Sequence, residues 1–169
     1  MPCDMKTINQ NPERRDRLPR EKVHDPYETR LKLREPTVCP DCSAVFSNGR
    51  WQWMESCPDG SHQELCPACH RIKDNYPAGV ITIAGTFSRK QKSELLDLVR
   101  HQEEAEKTQH PLHRLMGIEE KPESIEITTT DVHLPKRIAN ALQHAYKGSL
   151  QIQYADEDYF VRIHWTHQT

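Results

Sequence analysis

The stretch that decides the fold is residues 39–69, which read CPDCSAVFSNGRWQWMESCPDGSHQELCPAC. It begins with one Cys-x-x-Cys pair, Cys39 and Cys42, and ends with a second, Cys66 and Cys69. Two such pairs at this separation are typical of a tetrahedral zinc site, in which each pair forms a tight knuckle that turns both sulfurs toward one metal ion. The sequence therefore predicts that these four thiolates bind one Zn²⁺ ion.

Four thiolate ligands indicate a structural metal, because a catalytic zinc keeps one position for water and usually has three protein ligands. Iron is a competing metal, since a rubredoxin also uses two Cys-x-x-Cys knuckles. His62 and His70 lie nearby but are not needed in a full set of four ligands. Cys57 would be a fifth sulfur, so we interpret it as a loop residue. A redox pair is disfavoured because no thioredoxin-like βαβ pattern surrounds the cysteines.

The region between the two pairs has the pattern of a zinc ribbon, which we place at residues 36–79. Residues 43–55 read as a hairpin with a Ser-Asn-Gly turn at its tip. Residues 57–61, Cys-Pro-Asp-Gly-Ser, form a second turn signal. A module of this size cannot fold on its apolar core alone, so we expect the metal to supply most of its stability.

The composition of the 169-residue chain excludes several classes of protein. The hydrophobic share is 35% and the mean hydropathy is −0.87, which predicts that part of the chain is not packed into a core. The net charge of −2 argues against a uniformly basic nucleic-acid binder, although a local basic patch is compatible with it. No segment resembles a signal peptide or a membrane span, so we expect a soluble cytoplasmic protein with reduced cysteines and no membrane partner.

Residues 1–35 are charged and interrupted by prolines, and their few apolar residues follow no helical or strand period. This pattern predicts a flexible, solvated arm. The alternative is an arm that becomes ordered on RNA through Arg14, Arg15 and Arg17, since guanidinium groups suit phosphates. Interleaved acids, such as Glu13 and Asp16, weaken that alternative.

Residues 80–169 have the composition of a small α/β domain, in the order β-α-β-α-β-β. We predict strands at 80–84 and 124–130, a helix with a capping-box start at Ser88, and a hairpin formed by residues 150–165. A second helix begins near Pro135 and ends near Gly148, which we interpret as a C-terminal cap. Residues 110–116 are interpreted as a linker or a short helical turn. The simplest packing is a two-layer α/β sandwich with both helices on one face, so the predicted fold class of the whole chain is α+β.

Several residues are candidates for contact with RNA. The indoles of Trp51 and Trp53 have period-two spacing and would either pack inside the protein or stack on a base, with Arg50 on a phosphate. Cations at a helix N-terminus oppose the helix dipole and therefore suggest an external anion, although a solvated helix end is the alternative. Such cations occur at both helix starts of the α/β domain: Arg89, Lys90 and Lys92 at the first, and Lys136 and Arg137 at the second.

An enzyme is not expected. The sequence contains no phosphate-binding glycine loop, nucleophile elbow or His-Glu-x-x-His zinc motif, and it has six glycines. His110, His113 and Arg114 form the one polar group that a catalytic hypothesis could use, and linker chemistry is the simpler interpretation. We expect no small-molecule substrate.

The two cysteine pairs, the segment Tyr76-Pro-Ala-Gly79 and the stretches His110–Arg114 and Ile127–Ile138 resemble the nonsense-mediated-decay-protein-three family. The resemblance is to short bacterial relatives and covers roughly Pro36 to Trp165. It implies binding to the large ribosomal subunit through rRNA and ribosomal proteins, in assembly, quality control or dormancy. The chain lacks the later domains and transport signals of the large eukaryotic members, so a role in export is not implied. The alternative function is a zinc-ribbon module that binds protein and makes no contact with RNA.

Overall fold

The structure, a computed structural model, describes residues 25–28, 32–155 and 158–169. It confirms the α+β class, with a small cysteine-bearing sheet followed by a larger sheet that carries helices. The predicted contacts at Arg14, Arg15 and Arg17 lie outside the described residues. The elements in chain order are β1 (Thr37–Val38), β2 (Val45–Ser47), β3 (Arg50–Gln52), β4 (His62–Gln63), α1 (Pro67–Asp74), β5 (Gly79–Ala84), α2 (Arg89–Gln109), β6 (Leu115–Glu120), β7 (Ser124–Thr129), α3 (His133–Ala145), β8 (Gly148–Tyr154) and β9 (Val161–His167).

The ribbon is a four-stranded sheet in the order β3-β2-β1-β4. β2 and β3 form the predicted hairpin, whose tip uses Asn48 and Gly49 with positive φ angles of 54° and 76°. Left-handed conformations at both central residues are the requirement of a tight two-residue hairpin turn, which Asn-Gly satisfies. The hairpin tip is also held by Glu35, whose two carboxylate oxygens accept the backbone N–H groups of Asn48 and Gly49 at 2.9 and 3.0 Å.

The larger sheet has the order β6-β7-β5-β9-β8 and is mixed, because β5 pairs in parallel with β9 and all other neighbours are antiparallel. Alternate residues of the three central strands point to one face, where Ile81, Ile127 and Ile163 align across the sheet. Both long helices cover this face, as predicted. The core they enclose contains thirteen buried residues: Ile81, Ile83, Leu95, Val99, Ile125, Ile127, Leu134, Ile138, Ala139, Leu142, Val161, Ile163 and Trp165.

Local signals in the sequence explain the start of each long helix. Ser88 caps α2 by accepting the N–H of Gln91 at 3.2 Å, while the Gln91 side chain accepts the N–H of Ser88 at 2.9 Å. This is the predicted capping box. α3 begins differently, since Asp131 precedes it and accepts the N–H groups of His133 and Leu134 through one carboxylate oxygen.

The structure differs from the sequence prediction in two elements and one residue. The segment after His110 is not only a linker, because it leads into strand β6, which pairs with β7. The second cysteine pair starts a short helix, α1, instead of an isolated knuckle. Gly148 begins β8, and α3 ends at Ala145 with Tyr146 as its C-cap. Gly148 is needed because a Cβ there would overlap the Trp165 indole ring and the Thr166 carbonyl.

Part of the segment that we predicted as a free arm contacts the ribbon. Tyr27 donates its hydroxyl to Asp74 of α1 at 2.9 Å, and Asp25 forms an ion pair with Arg71. In the part of the chain that the structure describes, no helix combines the length and the hydropathy that a membrane span requires.

Candidate metal centre

The four predicted ligands converge on one point. The sulfur atoms of Cys39, Cys42, Cys66 and Cys69 all lie within 4.8 Å of one another, and the Cys42 and Cys66 sulfurs are 3.7 Å apart. A tetrahedral ion with Zn–S bonds of about 2.3 Å requires sulfurs roughly 3.8 Å apart. The donor set and its spacing therefore fit one Zn²⁺ ion. Among the described residues, this is the one cluster of three or more metal-ligating side chains with such spacing.

Each pair of ligands is positioned by backbone hydrogen bonds. In the first knuckle, the Ser43 N–H donates to the Cys39 carbonyl at 2.9 Å, and Ser43 takes a positive φ of 66° to close the turn. In the second, Cys66 is the N-cap of α1 and its sulfur accepts the Cys69 N–H at 3.4 Å. Pro67 follows the cap, where its fixed φ suits a first helical position.

The site is closed to solvent on most sides. Cys39, Cys66 and Cys69 are buried and Cys42 is half-buried. Ala68, Trp51, Leu65 and Leu112 pack around them. Four sulfurs complete a tetrahedron and leave no position for water or substrate. The chemistry of this centre is therefore structural: a bound ion would hold the two knuckles together and would not act as a Lewis acid.

A buried arginine from the α/β domain contacts the thiolates. One Nη of Arg114 lies 3.1 Å from the sulfur of Cys66 and 3.4 Å from that of Cys69, and 3.7 Å from Cys42. Arg114 is 7% exposed and its backbone is fixed by Thr130, whose hydroxyl accepts the Arg114 N–H at 2.9 Å. Four thiolates and one Zn²⁺ carry a net charge of −2, which the guanidinium reduces to −1. Arg114 thus partly neutralises the centre and also joins it to the second domain.

The thiols have strongly perturbed pKa values. The hydrogen bond from Cys66, with a smaller contribution from the charge of Arg114, lowers the pKa of Cys42 to about 4. The same hydrogen bond, together with burial, raises the pKa of Cys66, and burial raises the pKa of Cys69 to about 11. Burial opposes the charge on Arg114, but the neighbouring thiols outweigh it and raise the pKa of the guanidinium. At neutral pH, zinc must therefore displace protons from Cys66 and Cys69.

Next to the metal centre, the His110–Arg114 segment forms a polar cluster with both long helices. The Nδ1 atom of His113 lies 2.8 Å from a Glu106 carboxylate oxygen, and its Nε2 atom lies 3.6 Å from Asp131. The rings of His110 and His133 stand 4.8 and 5.3 Å from that of His113. Both ring nitrogens of His113 thus face carboxylates, an arrangement that ties α2 to the start of α3.

A cleft lies between the ribbon and the α/β domain, with a volume of about 690 Å³. One wall is the ribbon hairpin, where Phe46 and Trp51 are cross-strand partners with ring centroids 5.6 Å apart. The loop from His110 to His113 and residues 27–28 and 32–33 also line the cleft. Arg50 and Lys32 bring positive charge to this cleft, while Glu28 and Glu64 bring negative charge.

The structure separates the predicted RNA contacts into two groups. Trp51 lines the cleft and Arg50 is exposed beside it, whereas the Trp53 indole donates to the backbone carbonyl of Lys107 at 2.7 Å. Trp53 therefore connects the ribbon to α2.

Most cations at the helix starts have partners within the chain. Lys92 pairs with Glu120 at 2.6 Å, and Lys90 lies 3.8 Å from Glu94. Arg137 pairs with Glu106 at 2.8 Å, while Lys136 lies 5.0 Å above the Tyr154 ring. Arg89 is exposed.

A second buried arginine was not predicted from the sequence. Arg71 of α1 is 0% exposed, and its guanidinium lies 4.4 Å from the ring centroid of Tyr27 and 5.7 Å from that of Tyr159. It also pairs with Asp25 and donates to the Tyr76 carbonyl at 3.0 Å. Because these partners are far apart in sequence, no local pattern identifies them.

Comparison with known proteins adds no assignment, since no family model and no curated protein matches the sequence.

Proposed function

We propose that the chain is a non-enzymatic, zinc-stabilised factor that associates with the large ribosomal subunit through rRNA and ribosomal protein. The observation that carries the proposal is the cleft between the ribbon and the α/β domain, with its paired aromatic rings and its flanking cations. The saturated metal site directs attention to this surface, because four thiolates leave the ion no chemical role beyond holding the ribbon.

The chemistry of the cleft suits an unpaired nucleotide. Its volume of about 690 Å³ is within the usual range for small-ligand sites. Single-stranded RNA is commonly bound by stacking a base on an aromatic ring while a nearby cation contacts the phosphate. Trp51 provides the ring, and Arg50 and Lys32 provide the cations.

The mixed charge of the cleft favours ribosomal protein as a second type of contact. Glu28 and Glu64 lie among the lining residues and would repel a continuous phosphate backbone. The net charge of −2 likewise does not suit binding by phosphate contacts alone. The resemblance of the cysteine pairs and the His110–Arg114 stretch to the nonsense-mediated-decay-protein-three family points to the large ribosomal subunit as the assembly that offers both partners.

The test is co-sedimentation of the protein with 50S particles in gradients of increasing salt. We expect binding at low salt, and we expect Arg50→Glu and Lys32→Glu to weaken it by at least tenfold while one zinc is retained. Arg100→Glu is the matched control, because it reverses an exposed charge on α2 away from the cleft. Wild-type protein that stays at the top of a low-salt gradient would refute the proposal.

Nuclease treatment distinguishes this function from the alternative, a module that binds protein without RNA. If digestion of the RNA leaves capture of partner proteins unchanged, and if Arg50→Glu has no effect, the cleft does not act on rRNA.

A further inference from the structure

The two edges of the larger sheet differ in how they are protected. β6 ends in Glu119 and Glu120, and its register with β7 shifts between Leu115 and Gly117. Charges and irregular register are features that keep an edge strand from pairing with another chain. β8 has neither: its residues, Gly-Ser-Leu-Gln-Ile-Gln-Tyr, include no charge and no proline, and its register with β9 is regular over all seven.

β8 also leaves apolar side chains uncovered. Leu150, Ile152 and Tyr154 point to the helix-covered face of the sheet, opposite Trp165, Ile163 and Val161 of β9. Leu150 is partly covered by the core, but Ile152 is 39% exposed and Tyr154 is 58% exposed. Lys136 of α3 lies above the Tyr154 ring, but the helices cover this edge only in part, so that Ile152 and Tyr154 form an exposed apolar strip.

Hydrogen bonds at the two ends of the hairpin show which backbone groups of β8 face outward. The Lys147 carbonyl accepts the N–H of Gln168, and the Ala155 N–H donates to the Phe160 carbonyl. In an antiparallel pair, alternate residues bond to the partner strand. The odd-numbered residues of β8 thus bond to β9, and the even-numbered ones direct their N–H and C=O groups to the free edge. Within the described residues, no strand pairs with that edge.

We propose that β8 pairs antiparallel with β8 of a second copy of this chain, about a two-fold axis at Gln151. In this register Leu150 faces Ile152 of the other copy and Gly148 faces Tyr154. All four residues are even-numbered, so their N–H and C=O groups point to the free edge in both copies. They form four hydrogen-bonded residue pairs with two hydrogen bonds each, eight bonds in all. The two apolar strips become continuous on the helix side, and the glutamines align on the other side.

The charges at the two ends of β8 select this orientation and this partner. Lys147 immediately precedes the strand, and Asp158 lies in the turn that follows it. Antiparallel pairing about Gln151 places Lys147 of each copy opposite Ala155 of the other, at the end of the strand that Asp158 follows in sequence. Parallel pairing would place like charges together. An uncharged strand with oppositely charged ends is therefore complementary to itself.

A single strand pair forms a small interface, at the low end of specific interfaces, below roughly 1,200 Å² of buried surface. The dimer should accordingly be weak and concentration-dependent. Its mass is twice 19.7 kDa, or about 39 kDa.

The first test is sedimentation velocity of the purified zinc-loaded protein over a concentration series from micromolar to several hundred micromolar. We expect the average mass to rise toward that of the dimer, and Ile152→Lys to raise the dissociation constant by at least tenfold. Thr166→Lys is the matched control, since it adds the same charge to an exposed position of the same sheet away from the edge. A wild-type protein that stays monomeric throughout overturns the proposal.

A crosslinking experiment tests the register without relying on a destabilising change. The two copies of Gln151 form a pair without hydrogen bonds, with Cα atoms about 4.5 Å apart, which is close enough for a disulfide. In a background with Cys3→Ser and Cys57→Ser, we expect Gln151→Cys to give a covalent dimer under mild oxidation. Gln153→Cys should not, because position 153 faces position 149. Equal crosslinking of the two variants overturns the register.

Discussion

The ribbon and the α/β domain are stabilised in opposite ways. The α/β domain encloses thirteen buried residues between a five-stranded sheet and two helices. The buried cluster of the ribbon consists of Cys39, Cys66, Cys69 and Ala68, so three of its four members are metal ligands. Removing the ion therefore removes the centre of the ribbon, whereas the α/β domain loses only a contact at its surface.

The different sources of stability indicate which surfaces of each part are available for binding. In the ribbon, the four reactive thiols serve as metal ligands that stabilise the fold, and they fill every ligand position of the metal. In the α/β domain, the core is complete without the metal, so its edges and its junction with the ribbon are available for binding. Both surfaces that we propose, the cleft and the β8 edge, follow this division.

The largest expected effect is on the ribbon when the metal is removed. Cys66→Ser, or treatment with a strong chelator, should unfold residues 36–75, because structural zinc contributes on the order of 10 kcal/mol to modules of this kind. Hydrogen exchange should show lost protection there and retained protection in β5, β7 and β9. Elemental analysis should find one zinc per chain in the wild type and none in the variant.

Cys57→Ser is the control for that experiment, since Cys57 is exposed, lies outside the ligand cluster and hydrogen-bonds to its loop neighbours Pro58 and Ser61. It should keep one zinc and full protection. If the ribbon keeps its protection from hydrogen exchange after complete removal of metal, the metal is not its main source of stability.

Acid should weaken zinc binding steeply. The raised pKa values of Cys66 and Cys69 mean that both thiols are protonated without metal at neutral pH, so at least two protons leave when zinc binds. The affinity should therefore fall by at least about 100-fold for each unit of decreasing pH. Competition with a chromophoric chelator between pH 6 and 8 measures the slope. A slope near zero would show that the thiols are already ionised.

Arg114→Met should lower zinc affinity by about 10- to 100-fold, the usual effect of losing a partner that supports metal ligands. The change keeps an unbranched apolar stem but removes the guanidinium, and with it the three N–H···S contacts and the compensating charge. The same chelator competition measures it. Arg100→Met should leave the affinity unchanged, because Arg100 is exposed on α2 and contacts only Asp97 within the described residues.

The smallest expected effect concerns the contact between Trp53 and α2. Trp53→Phe removes one hydrogen bond to the Lys107 carbonyl and should cost about 1 kcal/mol. Urea unfolding monitored at ribbon residues measures the loss. Met54→Leu, a similar change at the adjacent exposed position, should lie within experimental error of the wild type. A loss of several kcal/mol would mean that docking on α2 is a second main source of the ribbon's stability beside the metal.

Features with a local signature could be predicted from the sequence. The spacing of the cysteine pairs predicted the ligand cluster, Ser88 and Gln91 predicted the capping box, and the alternation in residues 150–165 predicted the last hairpin. Each has a recognisable local unit: a Cys-x-x-Cys pair that recurs once, a Ser-x-x-Gln start, or a strict alternation of apolar and polar residues.

The features that were missed depend on contacts between distant residues. β6 was hidden because Leu115, Met116 and Ile118 do not alternate cleanly with polar residues around Gly117. Gly148 carried a helix-cap signal, but the Trp165 ring decides its role. Arg114 is separated by 48 residues from Cys66, and nothing near it in sequence marks it as a partner of the thiolates. These arrangements arise only when the two domains are packed together.

The contact between Arg114 and the thiolates also couples two equilibria. Arg114 belongs to the α/β domain, so it reaches the sulfurs only when the ribbon is docked. If docking of the ribbon raises the affinity for zinc by some factor, bound zinc raises the docking equilibrium constant by the same factor. This follows because zinc binding and docking form one thermodynamic cycle. The cleft lies at this junction, so its shape is linked to metal occupancy even though no group that lines it is a ligand. Zinc supply would then set how much of the chain presents a formed binding surface.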